Sequence, residues 1–162
     1  MNRKLKLCIL FVLLLSVMTA IFVFSSHPAE KSKELSNGLL DKLKKLLSLI
    51  PWFQKDPEHR IRKLAHFIEF MCLGLFSELF FGELFTAKNE RSLFCSVVSF
   101  VFCSLYACSD EIHQFFVPGR SCELKDVLLD SAGAAIGIAA AFLFAYLLNG
   151  KAGHADHEDT PS

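Results

Sequence analysis

Four long apolar runs, separated by short polar stretches, organise the 162 residues. Leu7 to Phe24 is unbroken by charge and long enough to cross about 30 Å of hydrocarbon. Arg3, Lys4 and Lys6 precede it as in a signal peptide, yet Phe22 to Phe24 occupy the place of a small-residue cleavage site. The run therefore reads as a retained first span. A second span is expected from about Leu64 to Phe85, although Glu69, Glu78 and Glu83 interrupt it and need shielding by neighbours. A third runs from Leu93 to about Cys108, and a fourth from Val127 to Leu148. The segment Asp110 to Lys125, broken by Pro118-Gly119, reads as the loop between them. In the fourth span Gly133 and Gly137, four apart among alanines, mark a face for close helix packing.

The polar interlude after the first span has its own pattern. Leu39, Leu40, Leu43, Leu46, Leu47 and Ile50 fall at helical spacing with Lys42, Lys44 and Lys45 between them, and Pro51 ends the pattern. This predicts a basic amphipathic helix lying in the membrane interface. The fold class expected is thus an all-α membrane protein: about four transmembrane helices in one domain over residues 1–150. A short polar disordered tail, 151–162, would follow it.

Composition agrees. Hydrophobic residues make up 52 %, mean hydropathy is +0.40, and 17 phenylalanines outnumber 2 tyrosines and 1 tryptophan, which suits a surface facing lipid. Seventeen basic residues balance 17 acidic ones, so charge gives no reason to expect nucleic acid. The six cysteines form no C-x-x-C pair and read as small hydrophobes, with Cys122 the one candidate reactive thiol. The basic N-terminus argues for cytoplasmic termini, whereas the basic interlude points the other way.

Candidate chemistry lies in three segments. In "RKLAHFIEF" (Arg62 to Phe70), Lys63, His66 and Glu69 share a helical face. "SDEIHQFFVPGR" (Ser109 to Arg120) carries Asp110, Glu111, His113, Gln114 and Arg120. In "DVLLDSAGAAIG", Asp126 and Asp130 lie on the stripe of Gly133 and Gly137. An ionised side chain in hydrocarbon costs about 2.5–3.5 kcal/mol on insertion scales, so these groups should converge at one membrane face. Two crossings separate the three segments consistently, which permits it.

The inventory leaves several chemistries open. His66 with Glu69, or His113 with Asp110 or Glu111, can be a general base with its orienter. Arg120, helped by Gln114, can clamp an anion bidentately. The imidazoles and carboxylates, Asp126 and Asp130 among them, can hold a divalent metal. A network that only fixes helix register is the bland alternative.

These segments, with "FSSHPAEKSKELS" (Phe24 to Ser36), resemble the VanZ-like family of bacterial membrane proteins, in matching order over most of the chain. "RKLAHFIEF" resembles the family's K-x-x-H-F-x-E-Y element, with Phe70 in place of the tyrosine, and His27 replaces a common glutamine. The longest match is "DEIHQFFVPGRSCELKDVLLDSAGAAIG". The resemblance carries the family's polar positions onto His66, Glu69, Asp110, Glu111, His113, Gln114, Pro118, Gly119, Arg120, Asp126, Asp130 and Gly133. It implies a multi-pass protein of the bacterial cytoplasmic membrane and a link to teicoplanin-type glycopeptide resistance. The expected partners are the bilayer and a lipid-linked envelope precursor or a glycopeptide. Whether the protein is an enzyme, a binder or a structural subunit stays open.

Overall fold

The computed structural model describes residues 2–27, 57–85, 93–120 and 122–158. The interfacial helix expected around 39–50 lies outside them. All regular structure among the described residues is helical: α1 (Arg3–Ser25), α2 (Pro57–Phe85), α3 (Leu93–Phe115) and α4 (Leu124–Glu158). Each contains a stretch long and apolar enough to cross a membrane: Arg3–Ser25, His59–Phe85, Leu93–Phe115 and Leu124–Leu147. The chain is a multi-pass membrane protein.

The helix ends follow from local chemistry. Asn2 caps α1 by accepting a hydrogen bond from the Lys4 backbone N–H at 3.2 Å. At the far end Ser26 N–H closes on Phe22 O at 3.0 Å. The helix α3 runs on past Cys108 to Phe115, where the sequence suggested a loop. Nothing in Ser109 to Phe115 breaks a helix, and Gln114 Nε2 donates to Asp110 Oδ2 at 2.7 Å across one turn. The true break is the turn Val117–Arg120, closed by Arg120 N–H to Val117 O at 3.1 Å. Pro118 and Gly119, the latter at φ 79°, hold the two central positions that a type II turn asks of them. The backbone of α4 likewise stays helical to Glu158, through most of the segment expected as a disordered tail.

The principal seam joins α2 to α4. It is a close backbone approach in both directions. A Cβ on Gly137 would fall 1.9 Å from Met71 O, one on Gly133 2.5 Å from Phe67 O, and one on Gly74 2.2 Å from Ala134 O. The small-residue stripe therefore packs inside the bundle, as its spacing suggested. Leu14, Ile21, Phe70, Leu73, Cys103, Ala107 and Ala134 form the core. Phe11, Phe22, Phe94, Phe100, Phe115 and Phe144 are exposed and give the bundle an apolar exterior suited to lipid.

Two polar features fix the helices at opposite ends. At one, Arg3 Nη2 donates to Glu83 O and Leu84 O at 3.0 and 3.2 Å, and Lys6 Nζ reaches Glu83 Oε2 at 2.5 Å. The start of α1 is thus clamped to the end of α2, with Arg3 satisfying two of that helix's last carbonyls and Lys6 pairing with the Glu83 carboxylate. At the other end lies the polar cluster. Between them Glu78, fully buried, accepts from Ser96 and Ser99 Oγ, each at 3.1 Å, which supplies the shielding its position demands.

Candidate functional site

The site forms where the end of α1, the start of α2, the end of α3 with its turn, and the start of α4 meet. Lys63 on α2 forms a short ion pair with Asp126 on α4 and stands 4.0 Å from Glu123 Oε2. Glu111 on α3 accepts the Glu123 backbone N–H at 3.0 Å, so its carboxylate meets the start of α4, where negative charge is favoured. Ser25 Oγ donates to Asp110 Oδ2 at 2.8 Å and ties α1 to α3. Asp110, Glu111, Gln114 and Asp130 are all buried.

Arg120 joins these pieces. Its Nε donates to His27 O at 3.2 Å and its Nη2 to Phe24 O at 3.1 Å, so the guanidinium caps the end of α1. Nη1 donates to Gln114 Oε1 at 2.9 Å and lies 3.5 Å from His66 Nε2. Most of these partners are neutral oxygens, and no carboxylate pairs with Arg120 among the described residues. Burial and the nearby Arg62 guanidinium lower its pKa from the ordinary value, but an arginine so placed keeps its charge.

His66 is held between two charged neighbours. Its Nδ1 faces Glu69 Oε2 at 3.4 Å, without the alignment of a hydrogen bond, and both atoms are buried with no other partner. With Arg120 Nη1 directed at Nε2, the tautomer that suits both neighbours carries its proton on Nδ1, toward Glu69. Nε2 then presents its lone pair.

A cavity of about 50 Å³ opens among these groups. His59, Arg62, Lys63 and His66 line it from α2, Glu111 and Gln114 from α3, Gly119 and Arg120 from the turn, and Asp126, Leu129 and Asp130 from α4. At roughly 10–15 Å³ per water, it has room for a few waters or a group of that size. Among the described residues no three His, Cys, Asp or Glu side chains form a group that could hold a metal ion.

Most of the residues singled out in the sequence therefore assemble at one face. His113 does not line the cavity: its Nε2 lies 3.0 Å from Ser26 Oγ, and its ring stacks on Phe22 at 4.5 Å. Glu69 stands behind His66, and Asp110 is turned toward Ser25 and Gln114. Gly133 and Gly137 serve the seam below. Sequence reasoning passed over His59 and Arg62. Arg62 Nη2 lies 3.0 Å from His59 Nδ1, and no carboxylate pairs with it among the described residues. The signal was available in the one-turn spacing of His59, Arg62 and Lys63, and His66.

A membrane protein with four candidate spans among the described residues, and a polar cavity at one face, is what the helices and their charged ends define. The chain belongs to the VanZ/LLP1 family, whose model matches residues 10–145. Comparisons with curated proteins and with solved structures returned no match.

Proposed function

We propose that the cavity receives the phosphate-bearing headgroup of a lipid or lipid-linked envelope precursor in the bacterial cytoplasmic membrane. In this reading His66 and Glu69 act there as a general base and its orienter. The observation that carries the reading is the pair of arginines, Arg62 from α2 and Arg120 from the turn, both lining the cavity with no carboxylate paired to either among the described residues. Arg62 in that state offers a phosphate its fork of donors, and Arg120, whose three nitrogens already donate to neutral oxygens, adds its positive charge beside it. Beside them His66 Nε2 can take the proton of a water attacking the phosphorus; the P–O bond to the alcohol breaks as the new one forms, and the departing oxygen takes that proton from the imidazolium, which Glu69 steadies meanwhile. Altering such a precursor would change what a teicoplanin-type glycopeptide meets, which connects the site to glycopeptide susceptibility.

A second reading has the cluster only hold helices together. The contacts of Arg120 with the end of α1 and with α3 favour it. One experiment separates the two. The detergent-purified chain is titrated with short-chain phosphatidic acid and with diacylglycerol, and binding is followed by native mass spectrometry. Retention of the phosphate lipid alone, lost in Arg62→Gln, supports the headgroup site. Equal retention of both, or an Arg62→Gln variant that binds as well, leaves the structural reading. In cells, His66→Gln should abolish any glycopeptide phenotype at unchanged protein level.

A further inference from the structure

Asp130 is 2 % exposed, lines the cavity, and forms no hydrogen bond or ion pair with a described residue. In either protonation state a carboxyl group keeps an oxygen that can only accept, so this buried group calls for a donor. The cavity's neighbours do not supply it: Lys63 is held by Asp126, and the donors of Arg120 go to Phe24, His27 and Gln114. The carboxyl groups lining the cavity are Glu111, Asp126 and Asp130. The arginines and lysine lining the cavity are Arg62, Lys63 and Arg120. A ligand that brought only a phosphate would engage the guanidinium side and still leave Asp130 without a donor.

We infer that the occupant carries a primary ammonium a few bonds from its phosphate. This is an aminoalkyl phosphate of the phosphoethanolamine kind, with Asp130 receiving the ammonium and Arg62, beside the Arg120 charge, receiving the phosphate. The inference rests on the headgroup reading above and narrows it to a substrate class. A primary ammonium offers three donors and a compensating charge in one small group, and the cavity is small. A quaternary ammonium has the charge without the donors, and a glycerol headgroup has donors without the charge.

The test is a ranking. The full chain in detergent is titrated with dihexanoyl phosphatidylethanolamine, phosphatidylcholine and phosphatidylglycerol, and with free phosphoethanolamine, by competition against one fluorescent phospholipid. Phosphatidylethanolamine should bind at least tenfold more tightly than phosphatidylcholine and phosphatidylglycerol, and Asp130→Asn should erase that preference. Equal binding of free phosphoethanolamine would give the same site a soluble ligand of the same class. Equal affinity for the three lipids, with all binding lost in Arg62→Gln, overturns the ammonium assignment and leaves the headgroup reading standing. A preference for phosphatidylglycerol overturns it in favour of a hydroxyl. Absence of any phospholipid binding overturns both readings. Because the ranking is measured first on the unaltered chain, an Asp130→Asn variant that fails to fold does not remove the test. One that folds and keeps the preference overturns the role given to Asp130.

Discussion

Glu78 and Asp130 are both buried carboxyl groups in membrane spans, and their surroundings differ in kind. Glu78 has a serine hydroxyl at each oxygen, and nearby Cys103 Sγ is directed at Ser77 Oγ at 3.4 Å. Asp130 faces a cavity and has no such partner among the described residues. Around Glu78 the polar groups satisfy one another, as in any stable interior. Around the His66–Glu69 pair the accounting is left incomplete, and Asp130 turns to the cavity instead. Polar groups closed on each other hold a bundle; polar groups left open at a cavity await something else.

That contrast can be broken first through the seam both regions share. Gly137→Val places carbon within the Met71 carbonyl and must force α2 from α4. A loss of about 3 kcal/mol or more is expected, with no folded monomer on size exclusion. Glu78→Ala strips the partner from Ser96 and leaves Ser99 with the Cys95 carbonyl alone. It should cost about 1–3 kcal/mol, read as a lower thermal midpoint in detergent, while phospholipid binding survives. Glu78→Gln, which keeps an acceptor for one serine, should recover part of that loss.

Arg120→Lys sits between the two regimes. A lysine cannot reach Phe24, His27 and Gln114 from one planar fork, so stability should fall by about 1–2 kcal/mol together with binding. A variant of full stability and no binding would move Arg120 from tether to pure anion clamp. The smallest effect on stability is expected at His66 and Glu69. His66→Gln and Glu69→Gln should shift stability by less than about 1 kcal/mol, since the pair lacks a proper hydrogen bond to lose. Where the site turns over a headgroup, His66→Gln should slow release of its product by about a hundredfold or more. An intact rate would leave His66 without a chemical role.

Four spans, their order and a close-packing face on α4 were legible because lipid imposes length and apolarity, and because Gly133 and Gly137 recur at helical spacing; that this face meets α2 was not. The gathering of charged segments at one face followed from counting crossings. What escaped was local. Asp110 to Phe115 looked like a loop because its polarity masks a helix whose polar face turns inward and whose Ile112 and Phe115 face outward. His113 shares that helix with Glu111 and Gln114, but rotation about the axis carries it to Ser26 and away from the cavity, which residue type alone does not reveal. Arg62 was overlooked because an arginine at a span's start reads as an interfacial anchor.

The cap that Arg120 places on Phe24 and His27 also sets an order of events during synthesis. The end of α1 enters the bilayer more than ninety residues before its cap exists, since the two contacts span separations of 93 and 96 positions. Until the third turn emerges, the first hairpin has its Arg3 and Lys6 clamp at one end and open carbonyls at the other. Truncated nascent chains ending before Arg120 should accordingly be cleared by membrane quality control faster than chains carrying the turn. The cavity comes into being only when the last helix closes on the first three.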